Sequence, residues 1–320
     1  MPHDHDHAAS RAEAPPKSGD AHAGHAHAVD TGRAFVIGVV LNSAIVVVQI
    51  IYGIAAHSVA LLADAGHNLG DVLGLVLGLG AAQLAKRKPT SRYTYGFRRA
   101  TILSALANAV LLLVATGGVA WESIQRLRAP EPIEAKTVMI VAGIAVLANG
   151  ISALFFFANR KSDINVGAAF LHLAGDAATS LGVVVASFVM LKTGWWWLDP
   201  VVGLAVSALI LAGTWSLLRQ SFKMSLDAVP QEIEIDRVRA FLATLPGVVE
   251  VHDLHVWAMS TTDTALTAHL VLCVGGTTAP SFFDEASKKL HDEFGIGHAT
   301  LQVECAPGAT PCALAPEDVV

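Results

Sequence analysis

Long apolar stretches alternate with short polar segments over the first two thirds of the chain. Four of these stretches contain no charged residue: Phe35–Ala56, Ala100–Ala120, Val138–Ala158 and Val201–Leu218. Two more are just as apolar but contain ionisable side chains, namely Val59–Leu84 and Val166–Leu191. A helix needs about 20 apolar residues to cross the roughly 30 Å hydrocarbon core of a bilayer. The pattern therefore predicts six transmembrane helices.

The pattern changes after the sixth stretch, where the elements become shorter. Gln231–Leu245 and Ser281–Phe294 have the period of amphipathic helices, while Val248–Ser260, Ala265–Val274 and Ala299–Cys305 alternate as strands do. The order helix–strand–strand–helix–strand is typical of a small two-layer α+β domain.

The predicted fold is thus a membrane all-α bundle of six helices followed by a C-terminal cytosolic α+β domain of ferredoxin or metallochaperone type. We place the bundle at 33–220 and the cytosolic domain at 221–306. The remaining segments cannot bury a core. We therefore expect a disordered His-rich cytosolic tail at 1–32 and a loose tail at 307–320.

Composition supports a membrane protein. The chain has 320 residues, of which 53% are hydrophobic and 15% charged, which is too apolar for an ordinary soluble protein. The net charge of −6 and the lack of a long basic stripe give no reason to expect nucleic acid as a partner. The three cysteines, Cys273, Cys305 and Cys312, are an odd number in a region placed in the cytosol, which argues against a disulfide framework.

The distribution of lysine and arginine predicts the orientation. The segment Lys86–Arg99, between the second and third helices, contains six of these residues, and the segments on the other side contain fewer. The side richer in lysine and arginine is cytosolic. Both termini are therefore expected in the cytosol.

Ionisable groups within the six predicted helices occur only in the second and fifth. They are Asp64, His67, Asp71, His172 and Asp176. A charge at the centre of a bilayer costs at least about 2.5–3.5 kcal/mol, so such residues are candidates for function. The alternative is that they form buried hydrogen-bonded pairs that only hold the bundle together.

The spacing of these groups indicates a metal site. His67 and Asp71 are four residues apart, as are His172 and Asp176, so each pair lies on one helix face. Two such helices can enclose one ion with two nitrogens and two oxygens, a tetrahedral set that zinc accepts. Asp64 lies on roughly the same face, and its role stays open between a relay and support of the other ligands.

Five segments together resemble the cation diffusion facilitator family, in particular its zinc-exporting branch. The resemblance covers roughly residues 33–305. The matching sequences are SVALLADAGHNLGD at 58–71, RYTYGFRRA at 92–100, LHLAGDAATSLG at 171–182, LDP at 198–200 and VHDLHVW at 251–257.

The resemblance implies a homodimer in a lipid membrane that exports a divalent cation in exchange for protons. With the lack of organellar signals, it also favours a bacterial inner membrane. It implies that His67, Asp71, His172 and Asp176 form the transport site, and histidine at position 67 favours zinc. Cobalt, nickel or cadmium remain alternatives, because affinity alone separates these ions poorly. No cofactor is expected beyond the transported zinc and a regulatory zinc in the cytosolic domain.

Four cytosolic residues are candidates for that regulatory site. In the family, ligands at the dimer interface match His252, His269 and Glu304, and His298 is the candidate for a fourth ligand that this chain lacks at its usual place. Ordinary strand or surface histidines are the alternative. The six histidines within residues 1–27 are either a weak zinc-binding tract or a dispensable tail.

Two other classes of function fit the sequence less well. An intramembrane metallohydrolase would need an open metal position and a general base, but four protein ligands fill the expected site and no H-E-x-x-H occurs. A membrane-anchored metal sensor would not need the charged pairs in the second and fifth helices. A secondary transporter, not an enzyme, is therefore the predicted function.

Overall fold

A helical membrane region and a small cytosolic domain make up the described part of the chain. The computed structural model describes residues 31–157, 160, 164–272 and 280–305. The membrane region contains α1 Thr31–Ala55, α2 Val59–Ala85, α3 Ala100–Arg128, α4 Ala135–Phe157, α5 Ile164–Thr193 and α6 Leu198–Ser225. The N-terminal histidines, Cys273, Cys312 and the tail at 307–320 lie outside the described residues.

Most of these helices are long and apolar enough to span a bilayer. Among the residues searched, five helices (α2 to α6) meet that condition, and Val40–Ala55 within α1 is a shorter apolar helix. The helical membrane region is thus confirmed, while the number of spans, six, stays a prediction. Helix α3 runs to Arg128, beyond the charge-free stretch, and its last turns carry an ion pair of 2.8 Å between Glu122 and Arg126 one turn apart.

Helix α6 packs closely against α2 and α3. A Cβ atom at Gly203 would lie 2.9 Å from the Ser123 hydroxyl oxygen and 3.3 Å from the Val59 carbonyl carbon, so glycine permits this approach. Small residues have this role in membrane helix interfaces. Elsewhere α4 lies along α5, whereas α2 and α5 touch over a short length only.

The start of α2 is anchored by a carboxylate from α6. Asp199 is buried and accepts hydrogen bonds from the Ser58 hydroxyl (2.5 Å) and the Val59 amide (2.8 Å). Ser58 itself caps α2 by accepting from the Leu61 amide at 3.1 Å. Free amides at a helix N-terminus favour an anionic partner. Asp199 therefore fixes one end of α2 to α6.

The cytosolic domain has the predicted order of elements. It contains α7 Ile235–Ala243, β1 Val248–Ala258, β2 Thr264–Leu272, α8 Pro280–Phe294 and β3 Ile296–Cys305. The sheet order is β1-β2-β3, with β2 antiparallel to β1 and parallel to β3. Val238 and Leu242 of α7 and Leu290 of α8 pack on Leu266 and Leu270 of β2. Both helices therefore cover one face of the sheet, which confirms the small α+β domain.

The register of β1 places two histidines on the opposite face. Val251 pairs with Leu270, and the next pair is His252 with His269, so these histidines face away from the apolar core. A bulge follows at Asp253, whose φ is +47°, and it returns Val256 opposite Leu266 in the core. Bulges change which face a side chain occupies.

The β1–β2 turn and β3 touch the segment between α2 and α3 and the first turn of α3. At the β1–β2 turn, Arg98 pairs with Asp263 at 3.5 Å, and the Thr261 amide donates to the Thr101 hydroxyl at 3.1 Å. At β3, the rings of Tyr95 and His298 have centroids 5.7 Å apart. Arg99 also pairs with Asp227, just after the end of α6. These contacts connect the cytosolic domain to α3 and to the segment before it.

Candidate functional site

The four candidate ligands of α2 and α5 form a ladder of crossed pairs. His67 Nε2 lies 3.0 Å from Asp176 Oδ1, and His172 Nε2 lies 3.5 Å from Asp71 Oδ2. The two helices run in opposite directions, so the first residue of one pair meets the second residue of the other. Each rung therefore joins a histidine of one helix to an aspartate of the other.

Asp176 connects the two rungs. Its second oxygen lies 3.7 Å from His172 Nε2, and the rings of His67 and His172 are 6.3 Å apart. The exposed fractions of the side chains are 3% for Asp176, 23% for Asp71, 27% for His67 and 49% for His172. The group is thus buried at Asp176 and open beside His172.

The donor atoms fit the spacing of a small tetrahedral site. Zinc–ligand bonds of about 2.0–2.1 Å place neighbouring donors roughly 3.3–3.4 Å apart. Ligand atoms of His67, Asp71 and Asp176 lie within 4.8 Å of one another. His172 lies outside this group of three, with its Nε2 3.5 Å from Asp71 Oδ2 and 3.7 Å from Asp176 Oδ2. Two carboxylates would also balance a dication, which reduces the cost of placing it among apolar helices.

A second polar group lies one helical turn from this ladder. Asp64 accepts hydrogen bonds from Gln49 Nε2 of α1 (2.5 Å) and from Ser180 Oγ of α5 (2.7 Å). Asn68 in turn donates to Gln49 Oε1 at 3.1 Å. Asp64 is recognisable in the sequence as an ionisable residue within an apolar helix, whereas its partners are not. A single serine or glutamine in an apolar helix does not by itself indicate a functional residue. The one available signal is spacing, since Ser180 lies four residues after Asp176 and Asp64 lies three residues before His67.

Three of the four cytosolic candidates come together on the open face of the sheet. His269 Nδ1 lies 3.0 Å from Glu304 Oε1, His252 Nε2 lies 3.5 Å from Glu304 Oε2, and the histidine rings are 5.3 Å apart. Both histidines are buried, and ligand atoms of the three residues lie within 4.8 Å of one another. Histidine nitrogens and a carboxylate are typical zinc ligands.

A carboxylate outside this trio orients His269. Asp253 Oδ2 lies 3.4 Å from His269 Nε2, and its other oxygen lies 2.8 Å from His255 Nε2. The bulge at Asp253 brings its side chain to this face. An acceptor on one ring nitrogen holds the proton there and leaves the other nitrogen free for a metal.

His298, the fourth predicted residue of this set, lies elsewhere. It is exposed, pairs in register with Ala265 and contacts Tyr95, whereas the residue opposite His269 on β3 is Gln302. Four residues of strand, about 13 Å, separate these positions on β3. The structure therefore does not bring His298 together with the trio, because the register of β3 on β2 decides which side chain lies beside His269.

Both parts of the chain match described families. The cation efflux transmembrane domain family matches residues 35–224, and the cytoplasmic domain of cation efflux proteins matches residues 230–306.

Full-length relatives span nearly the whole chain. The metal cation efflux system protein CzcD of Cupriavidus metallidurans is 32% identical, over 89% of this chain and 91% of that protein. The zinc transporter ZitB of Escherichia coli is 35% identical, over 83% and 85%. A cadmium, cobalt and zinc/H(+)-K(+) antiporter of Bacillus velezensis is 29% identical, over 88% and 91%. A solved metal-bound C-terminal domain of CzcD is 32% identical over 22% of this chain and 99% of that domain, with a TM-score of 0.21.

Proposed function

The chain belongs to the cation diffusion facilitator family of metal-exporting membrane proteins, and from that premise we propose that it exports zinc by proton-coupled alternating access. His67, Asp71, His172 and Asp176 are the proposed ligands of the transported ion. The named substrates of its relatives, zinc, cadmium and cobalt, support a divalent cation as cargo.

The crossed ladder between α2 and α5 is the observation that carries the proposal. It joins two nitrogens and two carboxylates at donor distances of 3.0 to 3.7 Å inside an apolar bundle. This donor set and this spacing suit zinc in tetrahedral coordination. Cobalt, nickel and cadmium are the alternatives, since geometry and availability, more than affinity, separate these ions.

Competition between protons and metal for the same ligands supports the coupling. Zinc requires neutral imidazole and ionised carboxylate, so binding of the ion and binding of protons exclude each other. A site that opens alternately to the two sides of the membrane then exchanges metal for protons. The Bacillus velezensis relative is named as a cadmium, cobalt and zinc/H(+)-K(+) antiporter, which supports this coupling.

The proposed topology has six spans with both termini in the cytosol of a bacterial inner membrane. Helix α1 has 25 residues, and at about 1.5 Å per residue it is long enough to be the sixth span. The lysines and arginines of the α2–α3 segment set the orientation. The working unit is proposed to be a homodimer.

Zinc uptake into proteoliposomes under an imposed pH gradient tests the function. We expect uptake when the lumen is acidic, slower uptake without a gradient, and a reduction of at least about tenfold in His172→Ala, because one of four ligands is lost. His291→Ala is the matched control, since it removes an exposed histidine of α8, outside the membrane region. Its uptake should equal that of the unchanged chain.

Two results would contradict the proposal in different ways. Zinc flux that ignores gradients of either sign would rule out proton coupling. Absence of flux for zinc, cobalt and cadmium, with a folded protein, would instead favour a membrane-anchored metal sensor.

A regulatory zinc site in the cytosolic domain is a second proposed role. It is supported by the convergence of His252, His269 and Glu304 on one sheet face, with Asp253 as a support for His269. Metal there would link β1, β2 and β3, and would bind independently of the transport site.

Zinc binding at equilibrium tests this role. Glu304 contacts both histidines, so Glu304→Gln should weaken the cytosolic site by at least about tenfold. The measurement is best made by titrating purified protein that carries Asp176→Ala, which removes the signal of the transport site. His291→Ala is the control, because it removes an exposed histidine of α8, and it should leave the titration unchanged. Equal titrations for Glu304→Gln and the control would show that this trio holds no zinc.

A further inference from the structure

A third rung continues the ladder between α2 and α5. Ser180 Oγ donates to Asp64 Oδ2 at 2.7 Å, one turn beyond the rung formed by His67 and Asp176. Both residues are fully buried. Unlike the other two rungs, this one contains no proposed metal ligand.

The third rung also reaches α1. Gln49 donates to the same oxygen of Asp64 at 2.5 Å and accepts from Asn68 at 3.1 Å, and these residues too are fully buried. The rung therefore connects three helices through side chains that are shielded from solvent. Hydrogen bonds in such surroundings are costly to leave unmade.

Beside the candidate site, polar contacts connect α2 and α5. The two helices touch over a short length, since α2 packs mainly on α3, α1 and α6, and α5 packs mainly on α4. They share one apolar cluster nearer the start of α2, which includes Leu61 of α2 and Val183 of α5. Among the described residues, the polar contacts between α2 and α5 are the three rungs. Two of these rungs consist of ligands that exchange their partners when a metal binds, so the third is the polar contact that persists beside the site.

We propose that Asp64, with Ser180 and Gln49, is a positioning group that holds α2 and α5 at the separation of a small tetrahedral site and so favours zinc over the larger cadmium ion. The inference rests on the proposed transport function and assigns the selectivity of that site. Proteins distinguish divalent ions mainly through the geometry of the site, because the intrinsic affinities of these ions for a given set of ligands follow a fixed order. A looser pair of helices would still enclose a dication but would accept longer metal–ligand bonds.

Asp64 acts here as a hydrogen-bond acceptor. Its Oδ2 accepts both hydrogen bonds, while Oδ1 has no hydrogen-bond partner among the described residues. Replacing Oδ1 by an amide nitrogen therefore removes no contact. Asp64→Asn should keep the third rung, whereas loss of the Ser180 hydroxyl should break it.

The test is the ratio of zinc to cadmium uptake by the full chain in proteoliposomes. Ser180→Ala should lower this ratio by about threefold or more, the loss expected from one hydrogen bond. Asp64→Asn should leave the ratio unchanged. Ser187→Ala is the matched control, because Ser187 is an equally buried serine of α5 whose hydroxyl bonds to the Val183 carbonyl of its own helix. It should also leave the ratio unchanged.

Gln49→Leu provides a second variant if Ser180→Ala fails to fold. It removes the α1 partner of Asp64, and it should shift the ratio in the same direction. Equal ratios for Ser180→Ala and Ser187→Ala would overturn the inference, as would loss of zinc uptake in Asp64→Asn, which would assign Asp64 a role through its charge. Lack of uptake of either metal by the unchanged chain would overturn the proposed function instead, so the two failures are distinct.

Discussion

Asp176→Asn is expected to lower the rate of zinc transport by about 100-fold or more. Asp176 is the most buried of the four proposed ligands and the one that contacts both histidines. The amide keeps the shape of the side chain but leaves a dication with one carboxylate among apolar helices. An uncompensated charge there costs about 2.5–3.5 kcal/mol, and each 1.4 kcal/mol is a factor of ten in rate or affinity.

The measurement is the initial rate of zinc uptake into proteoliposomes that contain a zinc-sensitive dye. Asp64→Asn is the matched control, since it makes the same isosteric change three residues from His67 in α2. Zinc uptake should remain close to normal in this control. Normal uptake by Asp176→Asn would mean that the ladder only holds α2 and α5 together and that the ion crosses the membrane elsewhere in the protein.

Asp199→Leu is expected to destabilise the membrane region by about 2–6 kcal/mol, at roughly 1–3 kcal/mol for each of two buried donors left without an acceptor. The donors are the Ser58 hydroxyl and the Val59 amide. Because Asp199 fixes the first turn of α2, its loss should free that turn. The same helix carries His67 and Asp71 further along.

Thermal unfolding of the purified protein in detergent measures this effect. Asp236→Leu is the matched control, because Asp236 is also in the first turn of a helix but is exposed and outside the membrane region. An exposed charge near a helix N-terminus contributes only about 0.3–1 kcal/mol. Equal unfolding temperatures for the two variants would mean that Asp199 does not anchor α2.

The elements of the fold follow largely from local patterns. The charge-free stretches and the alternation of the C-terminal third predicted the helical membrane region and the order of the cytosolic elements, because burial imposes a period on the residues that carry it. The end of α3 did not follow from that rule. Its last turns, to Arg128, leave the apolar stretch and are stabilised by the pair of Glu122 and Arg126.

The partners of the site residues did not follow from local patterns. The spacing of His67 and Asp71 identified them as one face of a helix, but only the antiparallel arrangement of α2 and α5 pairs His67 with Asp176. Ser180 and Gln49 are likewise not predicted by local patterns, because each meets Asp64 from another helix. His298 shows the limit for strands, since a parallel register of β3 on β2 has no signature in the composition of either strand.

The β1–β2 hairpin connects the cytosolic metal candidates to the membrane region. The hairpin itself is rigid, whereas the ion pair between its turn and the membrane region is weak. His269 lies five residues from Thr264 on β2, about 17 Å along the strand, and the turn beyond it touches the start of α3. The backbone ladder makes the hairpin rigid over this length, whereas the pair of Arg98 and Asp263 is half exposed and worth at most about 1 kcal/mol. A small change of tilt in α3 should therefore move the cytosolic site together with the helix. A larger change should break the contact of Arg98 with Asp263, and the two parts would then move separately.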